Sequence, residues 1–127
     1  MATCGEVLVK ILQNYGIDTI FGIPGVHTVE LYRGLEEVSI NHVTPRHEQG
    51  AGFMADGYAR ASGQPGIMLA GQNGPGATNL VTGIAQAAAA FSPLVSIAGA
   101  ISTSDLIQDA FQGIDQQSLF KPITAGG

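Results

Sequence analysis

The chain of 127 residues predicts a single α/β domain, an open three-layer sandwich on a mostly parallel sheet. Two observations carry that expectation. Short β-prone runs are separated by stretches of helical periodicity long enough to cross a sheet, which is what parallel pairing requires. The composition, 45% hydrophobic and only 12% charged, can bury one core, and the length leaves no room for a second full-sized domain.

In chain order, Thr3 and Glu6 make a capping box, after which Val7, Leu8, Ile11, Leu12 and Tyr15 recur at helical spacing. That predicts a helix over 4–15, ended by Gly16 in a left-handed conformation. Thr19-Ile20-Phe21 is a strand run stopped by Gly22-Ile23-Pro24-Gly25, and a second helix is expected over 27–35. Residues 40–43 read as a strand, and Ala51, Met54, Ala55 and Tyr58 place an apolar stripe on a third helix over 47–61. Residues 66–70 form the next strand run, followed by the turn Gly71-Gln72-Asn73-Gly74-Pro75-Gly76, with Pro75 suited to start a helix. Along that helix Ala77, Leu80, Val81, Ile84, Ala85 and Ala88 form the apolar stripe. A strand over 93–98 and one or two short helices over 105–120 complete the reading.

Five basic against ten acidic residues give a net charge of −5 and an isoelectric point near 4.8, with no run of Lys or Arg. Nucleic acid and anionic membrane surfaces are therefore not expected as partners. Cys4 is the sole cysteine, which rules out an internal disulfide and a thiolate metal cluster and fits a reducing, cytoplasmic setting. The first residues lack the basic start and apolar stretch of a secretory signal. Gln86, Ser92, Pro93 and Ser96 interrupt the mildly apolar stretch 84–101, whereas a membrane span needs about 20 strongly apolar residues. No charged residue occurs between Ala61 and Ser104. A free-standing domain keeps charge on the outer face of its helices, so this stretch is either covered within its own domain or packs on another domain or subunit. The two readings are compatible, and the second predicts a homo-oligomer through 61–104.

Ligands of open α/β sheets gather beyond the carboxyl ends of the strands, which selects three loops: 22–26, 45–52 and 71–76. Glu48 stands in the second, at the start of a helix. The plain alternative is a helix-capping glutamate favoured by the helix dipole. Yet Gly50 and Gly52 follow it, at a cost of about 1 kcal/mol each relative to Ala, so a close approach of a flat ligand or another helix is expected there. Gly50, Gly52 and Ala55 satisfy a dinucleotide-binding spacing, but no acidic residue follows about 20 positions later. The 71–76 turn lacks the Lys-Ser/Thr ending of a phosphate-binding loop. His27, His42 and His47 have no metal-ligand spacing and read as surface or loop residues, and no metal site is expected. Ser104 or Ser118 with a histidine and an aspartate could be imagined as a triad, a combination any chain of this size offers.

Phe21-Gly22-Ile23-Pro24-Gly25, then the run from Pro45 to Arg60 (Pro-Arg-His-Glu-Gln-Gly-Ala-Gly-Phe-Met-Ala-Asp-Gly-Tyr-Ala-Arg), then Gly74-Pro75-Gly76-Ala77-Thr78-Asn79, together carry a resemblance. The chain resembles the N-terminal, pyrimidine-binding domain of thiamine-diphosphate enzymes of the acetolactate synthase type. The front part is more similar to 5-guanidino-2-oxopentanoate decarboxylase and the 71–76 turn to sulfoacetaldehyde acetyltransferase, which leaves the substrate open. By that resemblance Glu48 would be the catalytic glutamate that contacts the cofactor's pyrimidine nitrogen. A protonated carboxyl in a dry pocket suits such a proton-sharing role. Pro24, Gly25, Gly74, Pro75, Gly76 and Asn79 would lie beside the cofactor, and Val26, Gln72 and Gln112 on the substrate side. Gln112 reads equally well as a solvated helix residue.

The resemblance also implies what the chain lacks. In that family diphosphate and magnesium sit on a separate domain with a Gly-Asp-Gly motif, absent from these 127 residues, and Asp105, Asp109 and Asp115 offer no comparable site. The expectation is an incomplete pyrimidine-binding domain over 1–127 that holds the pyrimidine end of thiamine diphosphate only. It would be nearly inactive without a diphosphate-binding partner domain. The competing expectation is a non-catalytic folding or dimerisation module of the same architecture.

Overall fold

A computed structural model describes residues 1–102 and 110–126. Helix α1 (Cys4–Asn14) opens on the expected capping box, with the Thr3 side chain accepting from the Glu6 N–H and Glu6 accepting from the Thr3 N–H. Gly16 follows it at φ +82°, the left-handed region glycine occupies without strain. Strand β1 (Thr19–Gly22) leads to a 3₁₀ turn, Val26–Thr28, and then α2 (Val29–Leu35). The helix expected from residue 27 is thus one tighter turn and two α-turns. Strand β2 (Asn41–Val43), α3 (Glu48–Ser62), β3 (Gly66–Ala70), α4 (Pro75–Ala89), β4 (Leu94–Ala98), α5 (Gln116–Phe120) and a 3₁₀ turn at Lys121–Ile123 follow. The part of the expected tail over 105–109, with Asp105 and Asp109, lies outside the described residues.

The sheet is four-stranded and all parallel, in the order β2-β1-β3-β4. Strand β3 is buried at all five positions because it is internal and covered on both faces. Its side chains divide between two cores. Met68 and Ala70 face Ala51, Ala55, Leu80 and Ile84 of α3 and α4, while Ile67 and Leu69 join Val9, Ile17 and Ile40 on the face covered by α1 and α2. The result is the expected three-layer α/β arrangement.

Two apolar stripes differ from expectation, for one reason. On α3 the buried positions are Glu48, Ala51, Gly52, Ala55, Asp56 and Ala59, and Met54 is 43% exposed; on α4 they are Gly76, Ala77, Leu80, Gly83, Ile84 and Ala87, and Ala88 is exposed. The helices turn their small residues to each other because Gly52 and Gly83 meet backbone to backbone: a Cβ on Gly52 would stand 2.7 Å from Gly83 Cα. Gly52 therefore gains an approaching helix rather than a flat ligand. Nothing comparable surrounds Gly50, where an added Cβ would meet only Pro45, at 3.4 Å. Within the uncharged stretch β3 is covered inside the domain, while Thr82, Gln86, Ala88 and Ala89 on α4 are exposed.

Candidate functional site

The three glycine turns converge at the carboxyl end of the sheet. The first and third touch directly: a Cβ on Gly25 would fall 2.2 Å from the carbonyl of Gly71, and one on Gly71 2.2 Å from the Ile23 oxygen. Thr28 fastens the same junction, its hydroxyl lying within hydrogen-bonding reach of the Gly71 oxygen at 3.2 Å and the Gly25 oxygen at 3.3 Å. Glycine at 25 and 71 thus serves the packing of chain on chain.

The second turn delivers Glu48. His47 caps α3, its Nδ1 accepting from the Gln49 N–H at 3.1 Å, which makes Glu48 the first helical residue. The Glu48 residue is only 8% exposed. Its Oε2 accepts a hydrogen bond from Asn79 Nδ2 at 2.9 Å, and its Oε1 lies 3.3 Å from where a Cβ on Gly76 would project. Any side chain at position 76 would press on the carboxylate. Glu48, Gly76 and Asn79 are therefore brought together by the α3–α4 pair, with Gly74 (φ +65°) and Pro75 turning the chain into α4.

Of the remaining expected residues, Pro24 is exposed and Val26 is 76% exposed on the first turn. Gln72 donates from Nε2 to Gln112 Oε1 at 2.6 Å, which joins the third turn to the tail. Gln112 has φ +63° and stands in a turn, so the solvated-helix alternative does not hold. Asn73 is fully buried, its Oδ1 accepting from Gln116 Nε2 and its N–H donating to His27 Nδ1. Ser118 donates to Asp115, the cap of α5, and forms no triad there.

Tyr32 and His42 were not singled out by their spacing, and both border the site. His42 is a half-buried strand residue, not a surface one. Its Nε2 faces the Gly22 carbonyl oxygen at 3.1 Å, and that oxygen can only accept, so Nε2 carries the proton. Burial lowers the His42 pKa, outweighing the opposing pull of that carbonyl, and the ring is favoured in its neutral form. Tyr32 packs edge-on against it, with ring centroids 5.0 Å apart. The sequence signal available for Tyr32 was an aromatic hydroxyl on a short helix, between Leu31 and Leu35.

Three hollows among the described residues are lined without Glu48, one of about 310 Å³ by Ile84, Leu94 and Ile123, one of about 360 Å³ by His27, Val29 and Gly99, and one of about 710 Å³ by Gln116, Phe120 and Lys121. Among the described residues no group of His, Cys, Asp or Glu is placed to hold a metal ion, and no helix is long and apolar enough to cross a membrane.

Against known proteins, the family model described as "Thiamine pyrophosphate enzyme, N-terminal TPP binding domain" matches residues 2–119. The chain belongs to this family. Its relatives include the probable 2-ketoarginine decarboxylase AruI of Pseudomonas aeruginosa, 52% identical over 126 residues, covering 97% of this chain and 22% of that protein. The probable acetolactate synthase large subunit of Methanocaldococcus jannaschii is 46% identical over 119 residues, covering 94% of this chain and 20% of the relative. Acetolactate synthase isozyme 1 large subunit of Escherichia coli is 44% identical over 123 residues, with coverages of 96% and 22%. The chain spans about a fifth of the length of these relatives.

The residues present fit a polar contact for the family's thiamine diphosphate. A buried carboxyl is held at a fixed angle by an amide, beside a glycine whose missing side chain leaves the carboxylate edge open.

Proposed function

We propose that the chain is the pyrimidine-binding half-site of a thiamine-diphosphate-dependent 2-oxoacid decarboxylase or carboligase, with Glu48 as the residue that activates the cofactor. The observation that carries this reading is the burial of Glu48 at the meeting of the second and third glycine turns, oriented by Asn79. When bound, the cofactor would supply the electron sink for the carbonyl carbon of the 2-oxoacid. Glu48 shares a proton with the pyrimidine ring nitrogen, and Asn79 keeps its carboxyl turned to that task. Gly76 keeps the approach clear. Pro24, Gly25, Gly74 and Pro75 shape the surrounding backbone, and Val26, Gln72 and Gln112 face the substrate side.

Diphosphate and magnesium are held by a partner domain, because no Gly-Asp-Gly motif occurs in these residues. The relatives, about five times longer, have room for such a domain. The similarity to AruI favours a 2-oxoacid with a basic side chain as substrate. The outward faces of the uncharged stretch, with Phe91 94% exposed beyond α4 and Val95 exposed on β4, support self-association through 61–104. The free, exposed Cys4 fits a reducing cytoplasm.

Titration of the chain with thiamine diphosphate and magnesium by calorimetry tests the half-site: weak binding is expected, and tight binding to the lone chain overturns it. In an enzyme assembled with the diphosphate-binding domain, Glu48→Gln should cost about 10²-fold or more in kcat, the size of a lost acid–base contribution. Unchanged turnover would favour the non-catalytic module.

A further inference from the structure

Gln112 holds a backbone conformation unsuited to its side chain. Its φ of +63° lies in the left-handed region, uncommon for residues other than glycine and kept only where neighbouring contacts impose it. Two such contacts come from the third glycine turn. Gln72 Nε2 donates to Gln112 Oε1 at 2.6 Å, and the Gln112 backbone rests on Gly74, where an added Cβ would fall 2.3 Å from the Gln112 oxygen.

Four residues further on, a second amide ties the tail to the same turn. Gln116, the first residue of α5, donates from Nε2 to Asn73 Oδ1 at 2.9 Å and to the Gly99 oxygen at 2.7 Å, and so spans the loops that follow β3 and β4. Asn73 is fully buried and its Nδ2 has no partner, so among the described residues Gln116 supplies the one hydrogen bond its side chain makes. Removing that donor would leave a buried amide wholly unsatisfied, which is costly. The segment 112–116 is therefore pinned at both ends to consecutive residues of one turn, Gln112 to Gln72 and Gln116 to Asn73. That turn also reaches the acid. The vacant Cβ position of Gly76 lies 3.3 Å from Gln72 Cβ and 3.3 Å from Glu48 Oε1, which places Gln72 and Glu48 on either side of one gap.

We propose that Gln116 is a positioning residue: by anchoring the tail on Asn73 and Gly99 it holds Gln112 in the left-handed conformation with its amide on Gln72, and thereby fixes the polar edge offered to the substrate. The functional half of this inference rests on the reading of Gln72 and Gln112 given above, whereas the anchoring stands on the contacts alone. Glu48 keeps its own support, since Asn79 holds it from α4 without help from the tail.

The test reads the backbone of Gln112 directly. A left-handed residue brings its amide proton close to its own α proton, which gives a strong intraresidue nuclear Overhauser signal. In the ¹⁵N-labelled chain that signal should be strong at Gln112 and should weaken in Gln116→Leu while circular dichroism shows the fold retained. An unchanged signal in the folded variant overturns the proposal. Should Gln116→Leu not fold, the wild-type chain still decides: a weak signal at Gln112 means there is no left-handed conformation to hold, and the proposal falls. In the enzyme assembled with the diphosphate-binding domain, with 2-ketoarginine as the probe substrate, Gln116→Leu should raise KM about tenfold, the size of one lost hydrogen bond, and leave kcat in place. If the Gln112 signal weakens and KM does not move, the substrate-side reading of Gln72 and Gln112 fails and the anchoring by Gln116 stands.

Discussion

Gly52 and Gly83 touch one helical turn beyond Glu48 and Asn79, each four residues along its own helix from the hydrogen-bonded pair. The glycine contact sets the spacing of α3 and α4, and the hydrogen bond between acid and amide is made at that spacing. A Cβ on Gly83 would lie 2.6 Å from Gly52 Cα, closer than atoms can pack, so the helices would have to part.

Gly83→Ala is therefore expected to destabilise the chain by about 1–3 kcal/mol, the usual cost of overpacking, and to loosen the Glu48–Asn79 bond. Gly57→Ala is the matched control on α3. Nothing lies within 4 Å of its added Cβ, so the better helix former should stabilise by up to about 1 kcal/mol. Urea unfolding of the two variants checks the opposite signs.

Asp56 ties α3 to the loop before β4. The Ser92 hydroxyl first, then Arg60, hold its carboxyl below the ordinary 3.8, against the opposing effect of burial. The folded chain thus resists a proton that the unfolded chain accepts. The stability this supplies is complete above about pH 4 and declines as pH falls through the lower folded value. Ser92→Ala should cost about 1–3 kcal/mol at neutral pH, because a buried carboxylate loses a donor, and the deficit should shrink in acid. Denaturant melts from pH 7 to pH 2 would show the two curves converging.

His42 has the opposite charge type and the same direction of loss. Its pKa is lowered in the fold from 6.5, chiefly by burial, so the unfolded chain takes up a proton first. Stability should fall as pH drops through 6.5 and level off once the folded histidine is also protonated. His42→Phe should remove this share of the pH dependence, measured by thermal unfolding between pH 8 and pH 5.

The fold was legible because its signals are local. The Thr3–Glu6 box, Pro75 at the first turn of α4 and the all-buried β3 run each act within a few residues. The non-local contact that the glycines after Glu48 asked for was legible in part: Gly52 meets Gly83, whereas Gly50 meets only Pro45. The rest depended on contacts between distant segments. Met54 looked internal by helical period, but the Gly52–Gly83 contact rotates α3 and leaves it outside. Tyr32 and His42 lie ten residues apart on different layers, and nothing in their spacing shows that a helix and an adjacent strand bring the two rings together.

The bare meeting of Gly25 with Gly71 leaves no side chain between two loops that would otherwise slide independently. A displacement of either must drag its neighbour, so pressure from an arriving molecule on the exposed Val26 edge would be felt at the entrance to α4, where Gly76 and Asn79 flank the acid.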